Sequence, residues 1–283
     1  MVETKVYATD DSAKNCLTFP VNEVLSVRLY RDNKPNCLET SLLQKGLVLV
    51  YKGKELIEEG MGFGVPVVKF QDKTLFSSNA QIIWGKDSSV FEKHFLIDTI
   101  STKQFCNAHV NDNFYEVIHK MFEKGYLGHQ TLQPVNNKIM ELRSLLKIKT
   151  HFKQVKPRGT VKIKYAVKDV AIEISADFSG LNRDGALEFL LLNEQGASSF
   201  GCYKDTDGLR LADSRIGAWD LVSAKKAVLT NRSGNLGFSL EPKVSTMLFR
   251  GWEKTRNRFS WAGLSYSLPP SRNSFYYYIE LNC

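Results

Sequence analysis

The sequence predicts a mainly β protein, a large antiparallel β sandwich with a two-helix insertion in the middle. Three observations predict it. Val161, Ile163, Tyr165 and Val167 alternate with Lys162, Lys164 and Ala166. The alternation restarts after Lys168-Asp169 as Val170, Ile172, Ile174, Ala176 and Phe178. Two period-two runs about a short turn are the sequence form of a hairpin with one buried face. Elsewhere, short apolar runs are separated by glycines and polar turns, without the long helical crossovers that parallel strands require.

Residues 1–111 read as a first β region. Leu25, Val27 and Leu29 alternate, and apolar runs follow at 47–51 and 65–70. Arg31-Asp-Asn-Lys-Pro35 and Gln71-Asp-Lys73 are the turn segments between such runs. Residues 112–147 change period. Phe114, Val117, Ile118, Met121 and Phe122 form a helical stripe, with Asn113 and Glu116 as a capping box and Gly125 as its end. A second helix starts near Pro134 and presents Val135, Ile139, Leu142 and Leu146. From 148 to 283 strands resume, at 160–168, 170–178, 186–193, 198–204, 226–231, 236–241, 246–252, 258–268 and 275–282. The last of these places Phe275, Tyr277, Ile279 and Leu281 on one face and Tyr276, Tyr278 and Glu280 on the other. Aromatics on both faces predict a strand covered on both sides or lining a cleft. No linker composition separates the halves, so the expectation is one β-rich domain over 1–283.

The 283 residues are 43% hydrophobic and 24% charged, ample for a core and against disorder. The net charge of +8 is spread along the chain and dense only between Arg250 and Arg258, which argues against nucleic acid as a partner. Five widely spaced cysteines, with no C-x-x-C pair, support neither a zinc site nor a disulfide framework. The start of the chain lacks a basic segment followed by an apolar one, and no segment approaches the roughly 18 uninterrupted apolar residues of a spanning helix. A cytoplasmic protein without membrane contact, metal or cofactor is expected; the oligomeric state is left open.

Among the motifs, Gly60-Met-Gly-Phe-Gly-Val-Pro66 enters a strand, not a helix, so it reads as a bent turn or a ligand loop and not as a dinucleotide fingerprint. Asp205-Thr-Asp-Gly208 lacks the later ligands of a calcium loop and reads as a turn. Asp213, Arg215 and Trp219 bring an acid, a base and an indole onto one loop, the usual carrier of binding groups.

The strongest candidate is the stretch Arg250, Trp252, Glu253, Arg256, Arg258 and Trp261. An indole stacks on the apolar face of a sugar while Arg, Asn and Glu bond its hydroxyls. A carboxylate in such surroundings has its pKa raised and becomes an acid–base group near neutrality. Two other readings stay open: core tryptophans flanking a solvated hairpin, and arginines serving a phosphate or anionic polymer. Histidines 94, 109, 119, 129 and 151 show no metal-ligand spacing, and His151 is preferred as a catalytic residue because it enters the β region holding the tryptophans.

The last 130 residues resemble the galactose mutarotase-like supersandwich of sugar epimerases and several carbohydrate-active enzymes. The resemblance is carried by 161–164, the turn at Lys168-Asp169, the segment ending in Asp177-Phe-Ser-Gly-Leu181, and the late strands to Leu281. It implies a carbohydrate ligand and acid–base chemistry at an anomeric centre, with Glu253 as base and His151 as acid. The competing class is a non-catalytic module that docks a protein or an anionic polymer through a basic, aromatic surface.

Overall fold

The computed structural model describes residues 9–11, 16–31, 42–58, 60–70, 73–84, 89–105, 148–254 and 260–282. Among the described residues are 20 β-strands, one 3-10 turn and no α-helix. The helical pair expected at 112–147 lies outside them. Every strand pairing is antiparallel, as the meandering turn pattern requires.

A 5-stranded sheet runs in chain order: β1 (Thr9–Asp11), β2 (Cys16–Pro20), β3 (Leu25–Tyr30), β4 (Val48–Tyr51) and β5 (Lys54–Glu55). The alternation read at Leu25, Val27 and Leu29 is its buried face. Lys52 and Gly53, with φ of 49° and 75°, make the tight turn that joins β4 to β5. Only residues tolerating left-handed backbone suit such a turn.

The large sheet has 15 strands. They are β6 (Gly62–Phe70), β7 (Thr74–Trp84), β8 (Val90–Phe105), β9 (Ile148–Gln154), β10 (Thr160–Val167), β11 (Ala171–Asp177), β12 (Ala186–Gln195) and β13 (Cys202–Asp205). The remainder are β14 (Arg210–Ala212), β15 (Ala218–Leu221), β16 (Ala227–Thr230), β17 (Gly237–Leu240), β18 (Met247–Lys254), β19 (Ser260–Leu268) and β20 (Ser274–Asn282). Their order is β14-β13-β16-β17-β20-β11-β10-β8-β7-β6-β12-β19-β18-β15, with β9 paired to β8.

This sheet folds onto itself, since its two halves carry apolar residues on facing surfaces and water is excluded only when they meet. Phe63 of β6 meets Phe238 of β17 edge-on at 5.0 Å, and Tyr266 of β19 lies 4.9 Å from Tyr277 of β20. Each such side chain, buried in full, contributes about 1.5–3 kcal/mol. The edge strands β14 and β15 are joined in sequence by the 3-10 turn Asp213–Ile216, so the ends of the sheet meet at that turn.

The predicted hairpin is present: Val161, Ile163, Tyr165 and Val167 pack inward with Ile172, Ile174, Ala176 and Phe178. Its turn is longer than expected. Val167 pairs with Ile172, and Val170 is 69% exposed within the turn. On β20, Phe275, Tyr277, Ile279 and Leu281 are buried while Tyr276 is 55% exposed. That strand is therefore covered on one face, and the expectation of cover on both fails at Tyr276.

The glycines at 60–64 serve close packing. Leu47 and Phe63 exchange backbone hydrogen bonds, which staples the small sheet to β6. A Cβ on Gly64, at φ of 75°, would lie 2.8 Å from the Tyr165 ring, and the Tyr165 hydroxyl donates to the carbonyls of Phe63 and Gly64. The small sheet's Phe19, Val27 and Leu49 thus join the same apolar cluster as Tyr165 and Tyr277.

Candidate functional site

The register of β12, β19, β18 and β15 sets Glu194 opposite Gly263, Gly263 opposite Gly251, and Gly251 opposite Ala218. Residues directly opposite share a face. Two glycines in the middle of that row leave a shelf, and two side chains lie over it. A Cβ on Gly263 would stand 2.8 Å from Glu194 Cγ, and one on Gly251 would stand 2.6 Å from Trp261 Cζ3. Two residues along, and so on the same face, Trp261 opposes Glu253, and its indole N–H donates to Glu253 Oε2 at 3.2 Å.

Trp219 completes the group from β15. The register slips between Ala218 and Asp220, and Trp219 is the bulged residue, at φ of 68°. A bulky side chain rarely adopts that backbone, so the bulge stores strain while it aims the indole. Its ring centre lies 5.8 Å from that of Trp261 and 6.4 Å from that of Phe249. Both tryptophans are half-buried.

Glu194 has a different environment. It is buried, with its Oε2 accepting from the Met61 N–H at 3.0 Å. Burial penalises its charge and pushes its pKa up to about 7; the Met61 N–H and Lys45 favour the ionised form, and Glu253 opposes it. Near neutral pH such a carboxyl both gives and takes a proton. Its neighbours on β12 are structural. Asn193 Oδ1 accepts from the Gly64 N–H and the Tyr277 hydroxyl, and Gln195 pairs with the backbone of Leu47 and Leu49.

Several residues expected to bind ligand are used inside the protein. Arg250 is buried; its Nε donates to the Ile216 carbonyl at 2.9 Å and its other nitrogens to the Leu221 carbonyl and Asp220 Oδ2. Its guanidinium also lies over the Tyr203 ring, so this arginine clasps the sheet ends and presents nothing to a ligand. The Trp252 indole N–H is taken by the Ala197 carbonyl at 3.2 Å. Asp213 opens the 3-10 turn and pairs with Arg232 at 3.0 Å.

Arg256 and Arg258 lie outside the described residues. His151 sits on β9, which pairs with β8, and β7, β6, β12 and β19 stand between β8 and the strand of Glu253. The sheet order thus gives His151 no strand next to its expected partner. Asp205 Oδ1 accepts from the N–H groups of Asp207 and Leu209, which makes 205–208 the plain turn it resembled. Among the described residues no acid, histidine or cysteine cluster is arranged to hold a metal.

Glu194 escaped the sequence reading because Asn193-Glu194-Gln195 looks like the polar exit of a strand. The signal that could have found it is the pair of glycines, Gly251 and Gly263, at matched places on neighbouring strands.

No protein-family model matches the chain, and no curated protein matches it in sequence. Among solved structures it is similar to a galactose mutarotase-like protein from Lactobacillus casei, at 11% identity and a TM-score of 0.37 over 94% of this chain and 99% of that one. It is also similar to the Slr1438 protein of Synechocystis sp., at 7% identity and a TM-score of 0.36 over 100% of this chain and 98% of that one. Likenesses this distant bear on neither ligand nor chemistry. Among the described residues no helix is long and apolar enough to cross a membrane.

Proposed function

We propose that this protein binds a carbohydrate on the face shared by β12, β19, β18 and β15, with a sugar ring stacked on Trp261 and Trp219. In this reading Glu194 is the proton-transfer group and Glu253 its partner, and the chemistry is acid–base exchange at an anomeric centre. The observation that carries the reading is the buried Glu194 carboxyl, with a pKa pushed up to about 7, on the same face as a half-buried indole pair. Trp261 couples the two parts, because its N–H is held by the second carboxylate. The use of Arg250 inside the fold disfavours a basic docking surface.

The test is a thermal-shift screen of the full chain against mono- and oligosaccharides, with polyanions as controls. Stabilisation by a neutral sugar, lost in Trp261→Ala and kept in Glu194→Gln, supports the site. Stabilisation by polyanions alone, fading with salt, would replace it with an electrostatic surface.

A further inference from the structure

Lys45 is 0% exposed and lies just before the point where the small sheet meets β6. Its Nζ donates to the Gly60 carbonyl at 3.0 Å and lies 3.7 Å from Met61 Sδ. The Met61 N–H donates to Glu194 Oε2. Ammonium and carboxylate therefore hold the same two-residue unit, Gly60-Met61, from opposite partners.

The backbone around Lys45 is fixed as firmly. The Gly46 N–H donates to the Met61 carbonyl at 2.9 Å, and Lys93 Nζ, buried on β8, donates to the Lys45 carbonyl at 2.8 Å. A Cβ on Gly46 would overlap the Phe63 carbonyl, so the segment packs on β6 at backbone contact distance.

We infer that Lys45, delivered by the segment that leads into β4, is a positioning residue that sets how readily Glu194 releases its proton. The inference rests on the carbohydrate site proposed above and adds the element that tunes it. An ammonium held in a dry interior favours the ionised form of a nearby carboxyl, whereas a second carboxylate opposes it. The charged groups facing Glu194 among the described residues are Lys45 from the segment before β4 and Glu253 from β18; Lys93 stands behind Lys45, and Glu58 lies beside Gly196. The segment before β4 is in this view part of the site's electrostatics.

The test follows the Glu194 side-chain carboxyl by 13C NMR in the full chain, assigned by its loss in Glu194→Gln. In Lys45→Met the titration midpoint is expected to move up by about one unit or more, and in Lys45→Arg to stay near the wild-type value. An unchanged midpoint in folded Lys45→Met would overturn the inference. If Lys45→Met does not fold, the reciprocal measurement decides: the Lys45 15Nζ midpoint should fall in Glu194→Gln, and an unchanged midpoint would overturn it. Neither readout uses a sugar, so failure here is separate from failure of the carbohydrate reading.

Discussion

The guanidinium of Arg250, on β18, lies 5.0 Å from the ring centre of Tyr203, on β13, and this contact spans the two ends of one folded sheet. Its nitrogens take the carbonyls of Ile216, at the end of the 3-10 turn, and Leu221, at the end of β15. Planar geometry lets one side chain satisfy three acceptors and still stack on an aromatic face.

Arg250→Met is therefore expected to destabilise the fold by about 3 kcal/mol, because it strands the buried Ile216 carbonyl and leaves Asp220 without its partner. Burial already raises the pKa of Asp220, and Arg250 is what opposes that rise. Arg250→Lys should recover little. Urea denaturation measures both, and a loss below about 1 kcal/mol in Arg250→Met would refute the clasp.

Glu194 makes stability depend on pH. Its folded pKa of about 7 stands above its ordinary value of 4.5. At pH below the ordinary value both states are protonated and the contribution is full. As pH rises from there to about 7, the unfolded chain loses its proton first, and stability falls by about 3 kcal/mol before levelling. Glu194→Gln should remove that component. The check is urea denaturation of both proteins at several pH values; parallel curves would show that Glu194 is not held protonated.

Gly251→Ala should displace the Trp261 ring, since the new methyl would sit within 2.6 Å of Cζ3. A cost of about 1–3 kcal/mol is expected, with a reduced near-ultraviolet circular dichroism signal from the Trp219–Trp261 pair. An unchanged spectrum would mean that the indole does not lie over the shelf.

The hairpin and the inward faces of β3 and β20 were legible in the sequence because burial on one face imposes period two, as at Val161 to Val167. The site was legible only in part. Trp261 and Glu253 share a register pair on adjacent strands, close enough in sequence to be read together. Glu194 comes from β12, and its place opposite Gly263, two residues from Trp261 on β19, is a long-range pairing that local pattern does not encode. Arg250 shows the opposite error, since an arginine among tryptophans reads as a ligand group until its acceptors are seen to be backbone carbonyls.

Trp219→Gly tests the place of this indole in the site. Glycine relieves the φ of 68°, worth about 1 kcal/mol, but it also removes a partly buried indole packed against the core, which costs about 3 kcal/mol. The variant is expected to lose about 2 kcal/mol in urea while staying folded, and to weaken sugar binding at least tenfold. Full binding in this variant would take Trp219 out of the site.

The most direct test of the central claim is two-dimensional exchange NMR of anomer interconversion, using a sugar that stabilises the protein, with wild type compared to Glu194→Gln. Wild type is expected to accelerate the exchange, and Glu194→Gln to bind the sugar without accelerating it. Equal rates in the two proteins, with binding intact in both, would contradict the assignment of Glu194 as the proton-transfer group.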